Sequence, residues 1–336
     1  MELLELSDCG PRLSLALRTR GMVQLRLPSW RERLSASAFE LAREALDTAE
    51  AGRGPHQLEL GSESADITGT HAAGALSRYN ANRAGFIFSN GEMFDVECVQ
   101  QPPGRFAACM AALHDAQCSL GACLLAELAV AMGIEADWFA RTLGDVSKHS
   151  QWHMKRYCRG RLAQNEELQG GQTVLLPMHT DPSIISIVLH DREDIQSGSL
   201  GLEFWDCEGK LWIEAPWSGH GVATIIVGTV LERISGGLFP AARHRVVGDL
   251  DKNGASPRVA ATFFLRPAPE AILHQIPSPD VLSRGICLKG ITWAEWKRQI
   301  ASRYESSARR QALKRRKKCD YQRRASLPNE KTTCYY

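Results

Sequence analysis

The stretch Met178-His179-Thr180-Asp181-Pro182 decides how the rest of the chain is interpreted. His179 and Asp181 are two residues apart, and side chains at i and i+2 of an extended strand point to the same side. An imidazole and a carboxylate can therefore face one point in space. The apolar residues 184–189 predict a strand directly after this pair.

A second histidine, His244, follows Asp181 by 63 residues, in a segment that ends in Val246-Val247. Two imidazoles and one carboxylate on one face of a metal leave the opposite positions open, which is the ligand set of non-haem Fe(II) oxygenases. We therefore predict that His179, Asp181 and His244 bind one Fe(II) ion. The alternative is that the three side chains are unrelated and that each makes local hydrogen bonds, because a His-x-Asp tripeptide also occurs by chance.

Composition indicates a globular protein. The 336 residues are 44% hydrophobic and 23% charged, which fits one large domain with appendages or two modest domains. We find no apolar run near the length of a membrane span, and the N-terminus carries acid where a secretory signal carries base. We expect a cytoplasmic protein that does not enter a membrane.

Ten cysteines without a Cys-x-x-Cys pair favour free thiols over a zinc finger or a redox pair.

The net charge of +2 is unevenly distributed. From residue 297 onward there are 13 Lys or Arg and 3 Asp or Glu, which gives +10 and leaves −8 for the rest of the chain. The acidic body makes nucleic acid an unexpected partner. The basic tail contains five consecutive cations at residues 314–318 and is predicted to be disordered. It is either simply solvated or binds an acidic partner or an import receptor, and the last case would allow nuclear localisation.

Periodicity predicts helices in the first half of the chain and strands in the second. We expect a strand at residues 22–27, a helix at 29–51 that Gly52 ends, a loop at 53–83, and a short strand at 84–88. A long helix should run from residue 104 to Gly133, with a shorter one near 137–139. Further strands are predicted at 174–176, 184–189, 202–205, 211–214, 224–227, 242–247 and 259–265, with a hairpin turn at 206–209 and a last helix at 293–311. Such closely spaced short strands suggest a sandwich, barrel or jelly roll.

Residues 172–267 resemble the catalytic domain of the 2-oxoglutarate/Fe(II) dioxygenases of the isopenicillin N synthase type. The matching segments are His179-Thr180-Asp181-Pro182, Gly201-Leu202-Glu203, Val227-Gly228-Thr229, His244-Arg245-Val246-Val247, Arg258-Val259-Ala260 and Phe263-Phe264-Leu265-Arg266-Pro267. The resemblance implies a mainly β protein with flanking helices (α+β) and a double-stranded β-helix (jelly-roll) core. It divides the chain into an N-terminal helical and strand region at 1–148, the dioxygenase core at 149–270, a C-terminal helical segment at 271–312 and the basic tail at 313–336.

The resemblance also assigns roles to single residues. His179, Asp181 and His244 would hold Fe(II), and Arg258 would bind the distal carboxylate of 2-oxoglutarate, for which a guanidinium fork is well suited. Tyr157 would touch the same carboxylate, or else be a half-buried core tyrosine.

Two departures from the family pattern concern the co-substrate. Ala260 stands where the family has the Ser of Arg-x-Ser. Lys155 and Arg156 stand where many relatives have an Asn, and this extra positive charge would either assist the co-substrate or face water.

The implied activity is oxidation by O2 of a small, largely apolar organic substrate, by hydroxylation or desaturation, with 2-oxoglutarate as co-substrate. We expect the residues around Trp205 and Phe264 to line the substrate pocket. His190 is expected at the surface or in a loop, and His149 and His153 either support the ligands or have ordinary core or surface roles.

Alternative functions are an Fe(II) oxidase that uses no 2-oxoglutarate and a non-catalytic binding protein on the same scaffold; a hydrolytic zinc site fits less well.

Overall fold

The computed structural model describes residues 3–5, 10–53, 83–89, 92–94, 104–158, 173–191, 201–215, 219–248, 255–300 and 302. The helices are α1 (Gly10–Arg20), α2 (Ser29–Arg53), α3 (Gly104–Ala131), α4 (Trp138–Leu143), α5 (Val146–His149), α6 (Thr229–Ile234) and α7 (Pro279–Leu282), and residues 293–300 are also helical. The strands are β1 (Leu3–Glu5), β2 (Met22–Arg26), β3 (Arg83–Ser89), β4 (Glu92–Phe94), β5 (Gln151–Cys158), β6 (Thr173–His179), β7 (Ile185–His190), β8 (Leu202–Asp206), β9 (Leu211–Glu214), β10 (Val222–Val227), β11 (His244–Gly248) and β12 (Ala255–Phe264).

The strands form two sheets. Eight strands make the larger sheet, in the order β1-β2-β10-β7-β12-β5-β3-β4, and four make the smaller one, in the order β6-β11-β8-β9. The prediction of a mainly β protein with helices is confirmed. Strands from residues 1–148 pair with strands of the later region, since β2 pairs with β10 and β3 pairs with β5. The four-part division of the chain stays a prediction.

Alternating side chains give the larger sheet two buried faces. In β7, Ile185, Ile187 and Leu189 belong to a core shared with the helices, whereas Val188 packs with the smaller sheet. The same alternation recurs in β12, where Ala261 and Phe263 face the helices and Ala260 faces the smaller sheet. Because successive side chains of a strand point to opposite faces, the larger sheet separates a helical layer from the second sheet.

Helix α3 confirms the predicted long helix with a buried stripe. Its side chains Met110, Leu113, Leu120 and Leu124 are buried in the core. Residues Ala108–Ala131 are long and apolar enough to cross a membrane by length and composition alone, so the expectation that no such run exists was wrong. This signal is weak, because the core helix of a soluble protein passes the same test.

Several predicted elements differ from the observed ones. Helix α2 continues through Gly52 to Arg53, because one glycine costs a helix only about 1 kcal/mol. Helices α1, α5, α6 and α7 and strands β1, β4 and β5 were not predicted. His190 was expected at the surface but is fully buried, where its Nε2 lies 3.2 Å from Thr224 Oγ1. Most of the predicted loop at 53–83, the end of the last helix and the basic tail lie outside the described residues.

Candidate metal centre

Strand pairing brings the three predicted ligands together. His244 of β11 is the cross-strand partner of His179 of β6, and Asp181 follows β6 by two residues. Asp181 Oδ1 lies 3.7 Å from Nε2 of each histidine. Two donors to one ion at about 2.0–2.2 Å cannot be more than about 4.4 Å apart, so these separations allow a shared metal. Among the described residues, these three form the one group of His, Cys, Asp or Glu side chains close enough to bind an ion together.

The two imidazoles present the same nitrogen to this point. Nδ1 of His179 lies 2.9 Å from the Pro177 carbonyl oxygen, and Nδ1 of His244 lies 3.0 Å from that of Ala242. A carbonyl oxygen only accepts, so each Nδ1 carries the proton and donates it. The Nε2 lone pair of each ring is therefore available to a metal, and the ring orientation is held by backbone.

Asp181 supplies the negative charge of the centre. Burial of this carboxyl acts to raise its pKa, but His244 and His179 when protonated, a hydrogen bond with Ser186 and the charge of Lys155 together outweigh burial, and the pKa is lowered. The carboxylate form is therefore favoured. Its Oδ2 is buried and has no hydrogen-bond partner among the described residues. An uncompensated buried carboxylate oxygen is costly, and a bound cation would remove that cost.

The backbone around Asp181 is held by the start of α6. Thr229 N–H donates to the Asp181 carbonyl oxygen at 2.8 Å, and Val230 N–H donates to that of Ser183 at 3.0 Å. Gly228 allows this close approach, because a Cβ atom at this position would lie 2.0 Å from the Ser183 carbonyl oxygen. The Val227-Gly228-Thr229 segment thus fixes the loop that carries the acid.

A pocket opens beside the three ligands, between the two sheets. Apolar side chains form most of its wall, and Lys155 and Thr262 are its other polar members. The lining residues besides the three ligands are Lys155, Leu176, Val188, Leu202, Val246, Ala260, Thr262 and Phe264. The arrangement therefore combines a candidate metal site with an adjacent pocket that is lined mainly by apolar side chains.

The other predicted site residues have different outcomes. Phe264 lines the pocket as expected, and so does Leu202 near Trp205. Trp205 itself is not among the lining residues and packs against Trp212, with ring centroids 5.4 Å apart. The backbones of Arg258 and Tyr157 lie in β12 and β5, and their side chains lie outside the described residues. Their roles stay predictions.

Sequence reasoning left the position of Lys155 open, and the structure buries it in the pocket wall. The alternative in which this side chain faces water was wrong. The alternation Trp152, Met154 on one face and His153, Lys155 on the other is the signal that identifies this wall. It was obscured because the polar residues interrupt the apolar pattern of β5.

Comparison with known proteins identifies the same region. Residues 155–267 match the sequence model of the 2OG-Fe(II) oxygenase superfamily. The chain is similar to gibberellin 2-beta-dioxygenase 1 of Oryza sativa subsp. japonica, with 26% identity over 49% of this chain and 41% of the relative. It is also similar to a bi-functional coumaroyl CoA and feruloyl CoA ortho-hydroxylase of Ruta graveolens, with 33% identity over 32% of this chain and 26% of the relative. The matches thus span less than half of either relative.

The fold is shared with solved 2-oxoglutarate oxygenase structures. A full-length Neurospora crassa protein, solved in complex with alpha-KG, aligns with a TM-score of 0.67 over 91% of this chain and 95% of that chain, at 17% identity. This likeness concerns the fold, and it confirms the predicted double-stranded β-helix, or jelly roll.

Proposed function

We propose that this chain, whose residues 155–267 match the sequence model of the 2OG-Fe(II) oxygenase superfamily, is a non-haem Fe(II), 2-oxoglutarate-dependent dioxygenase that hydroxylates or desaturates a small organic substrate. The observation that carries the proposal is the convergence of His179, Asp181 and His244 on one buried point beside a pocket.

The donor set fits a ferrous ion. Two neutral imidazole nitrogens and one carboxylate oxygen suit iron, and the pocket side of the cluster leaves room for further ligands. The partnerless Oδ2 of Asp181 is a second sign that a cation belongs there. When bound, Fe(II) with 2-oxoglutarate and O2 would supply the oxidation of the substrate, with succinate and CO2 as co-products.

The chain's own side chains would hold and orient the reactants. His179 and His244 keep their Nε2 atoms directed at the ion, because both Nδ1–H groups are held by backbone carbonyl oxygens. Asp181 stays ionised and balances part of the charge of the ion. The apolar walls exclude water from the space in which the substrate would bind, which limits side reactions.

Arg258 and Tyr157 would bind the distal carboxylate of 2-oxoglutarate. The backbone of Arg258 lies in β12, two residues before Ala260, which lines the pocket. We expect Arg258→Ala to raise the KM for 2-oxoglutarate tenfold or more with a smaller effect on kcat, since the lost contact is made before the chemical step. Steady-state succinate formation at varied 2-oxoglutarate measures both constants. An unchanged KM would mean that Arg258 has another role.

The substrate is proposed to be small and largely apolar. Leu176, Val188, Leu202 and Val246 line the pocket with hydrocarbon side chains, which suit a largely apolar molecule. The proposal of a metabolic enzyme of the isopenicillin N synthase type rests on the sequence motifs from His179 to Pro267.

The direct test is succinate formation by the purified protein. With Fe(II), 2-oxoglutarate and O2, wild type should form succinate slowly without substrate and faster with a suitable small molecule. Asp181→Ala should form none. Turnover by Asp181→Ala equal to wild type would refute the proposed function.

An Fe(II) oxidase that takes all its electrons from the substrate is a second candidate. The observation that favours it is Ala260, a pocket-lining residue that supplies no hydroxyl to a co-substrate carboxylate. Oxygen consumption that requires Fe(II) but neither needs 2-oxoglutarate nor yields succinate would identify this case.

The basic tail supports a proposal of its own. Residues 313–336 lie outside the described residues, and only the five consecutive cations at 314–318 bear on their role. We propose that the protein is cytoplasmic and that the tail binds an acidic partner or an import receptor. A fluorescent fusion, with and without neutral residues at 314–318, tests whether the tail directs it to the nucleus.

A further inference from the structure

Lys155 is a buried cation in the wall of the metal pocket. Its side chain is on β5, and the residue is only 9% exposed. Its positive charge already acts on Asp181, whose pKa it helps to lower, so the ammonium group lies within electrostatic reach of the metal site. Since Lys155 lines the same pocket as His179 and Asp181, an anion bound in that pocket would be in reach of its charge.

The charges around the pocket favour an anionic ligand. Among the residues that line it, Lys155 is the cation and Asp181 the acid, and the carboxylate of Asp181 belongs to the metal cluster. A divalent metal would therefore leave the lining with a positive net charge. The Lys155 Nζ also lies 5.2 Å from the centre of the Phe264 ring, which is a cation–π contact at the edge of the pocket. A ligand that carries negative charge complements such a lining.

The strand register places Lys155 beside Ala260, the residue that departs from the family pattern. Lys155 of β5 and Ala260 of β12 are cross-strand partners. Both line the pocket, and the single methyl group of Ala260 leaves space next to the lysine. Ala260 stands where the family pattern has a serine, so a long cation from the neighbouring strand lies next to the position that lacks a hydroxyl. Arg258, proposed to bind the same co-substrate, is two residues from Ala260 on β12.

We propose that Lys155 is a binding residue for the distal carboxylate of 2-oxoglutarate and replaces the hydroxyl contact that Ala260 does not make. The inference rests on the proposed function. Lys155 would thus act on co-substrate affinity through a charge-assisted hydrogen bond, not on the metal ligands.

The test measures binding without turnover. Protein loaded with Mn(II) in place of Fe(II), under exclusion of O2, is titrated by calorimetry with 2-oxoglutarate and with 2-oxovalerate, which has the same five carbons but ends in a methyl group. The variants are Lys155→Met, which keeps the length of the side chain without its charge, and Lys155→Ala. Lys148→Ala is the matched control, because Lys148 is an exposed lysine on α5 that pairs with Asp145 at 3.6 Å.

We expect Lys155→Met to weaken 2-oxoglutarate binding tenfold to a hundredfold, the loss of one hydrogen bond to a charged group. Its affinity for 2-oxovalerate and for Mn(II) should match wild type, because neither contact involves the distal carboxylate. Lys148→Ala should match wild type in all three. Lys155→Ala should repeat the pattern, and Mn(II) binding shows that each variant is folded.

The outcomes separate the inference from the proposed function. If Mn(II)-loaded wild type binds no 2-oxoglutarate, the proposed function and the inference fall together. If wild type binds 2-oxoglutarate and Lys155→Met binds it equally well, only the inference is overturned. The same holds if Lys155→Met loses as much affinity for 2-oxovalerate as for 2-oxoglutarate. Loss of Mn(II) binding in Lys155→Met would also overturn the inference, because the side chain would then support the metal centre.

Discussion

His179 and His244 are cross-strand partners of β6 and β11, and the centroids of their imidazole rings lie 4.2 Å apart. Strand pairing alone therefore joins two residues that are 65 positions apart in the chain. Asp181 reaches the same point from the loop after β6. The metal centre thus depends on the register of one strand pair and on the conformation of one short loop.

Removal of a single ligand should abolish metal binding. Asp181→Ala or His244→Ala leaves two protein donors, and we expect either variant to be purified without iron and to take up none at micromolar Fe(II) under exclusion of O2. Metal analysis after desalting measures this. His274→Ala is the control, since His274 is an exposed histidine after β12. Stoichiometric iron in either ligand variant would contradict the proposed centre.

Gly228→Ala should distort the metal centre from outside the ligand set. The new Cβ atom would lie 2.0 Å from the Ser183 carbonyl oxygen, so the loop of Asp181 or the start of α6 must shift. We expect a loss of about 1–3 kcal/mol in the free energy of unfolding, together with weaker Mn(II) binding. Denaturant unfolding and Mn(II) titration measure the two effects.

Gly10→Ala is the matched control, because a Cβ atom at Gly10 would meet no atom closer than 3.6 Å. It should leave Mn(II) affinity unchanged. If Gly228→Ala lost stability but bound Mn(II) as tightly as wild type, the coupling between α6 and Asp181 would be disproved.

The ligand triad could be predicted because its signal is local. His179 and Asp181 share a face by the two-residue repeat of a strand, and the apolar runs that flank them and His244 predict strands on their own. Local sequence patterns do not determine which strands pair with one another. The family resemblance supplied that step, and with it the jelly roll.

The pocket wall was harder to predict. Strand β5 carries His153 and Lys155 on one face and Trp152 and Met154 on the other, so its polar residues interrupt the apolar run by which strands are recognised. The polar face is buried only because the smaller sheet covers it, which is a long-range effect. Leu202 lines the pocket and Trp205 does not, for a related reason: the sequence does not say which face of β8 is turned to the pocket.

Cys118 should be unreactive towards alkylating reagents in the folded protein. Burial raises the pKa of its thiol to about 12, and the charges of Asp115 and Asp145 add to the effect. Against an ordinary pKa of 9.0, this leaves roughly a thousandfold less thiolate at neutral pH. Cys123 lies on the same helix and is exposed, so it provides the internal control. Iodoacetamide labelling followed by mass spectrometry should modify Cys123 first; equal rates would contradict the buried position of Cys118.

The last prediction concerns a partly buried ion pair that links α2 to the larger sheet. Asp191, just after β7, pairs with Arg43 of α2, and its Oδ1 lies 3.4 Å from His220 Nε2. Burial acts to raise the pKa of Asp191, but its hydrogen bonds to His220 and Arg43 and their charges outweigh burial, so the pKa is lowered. A carboxyl group whose pKa is lowered on folding stabilises the fold above its unfolded pKa of about 3.9, and this contribution is lost as the pH falls through the folded value.

Asp191→Asn should therefore reduce the free energy of unfolding by about 2 kcal/mol at pH 7, the value of a hydrogen bond to a charged group. The difference from wild type should be constant above pH 5 and shrink as the pH falls below about 4, where the wild-type carboxyl becomes protonated as well. Urea unfolding across this range measures the difference. Asp280→Asn is the matched control: Asp280 also pairs with an arginine, Arg18 at 2.6 Å, but it is 54% exposed and should contribute about 0–1 kcal/mol. A difference for Asp191→Asn that stays constant down to pH 3 would mean that the packing of the side chain, and not its charge, holds α2 in place.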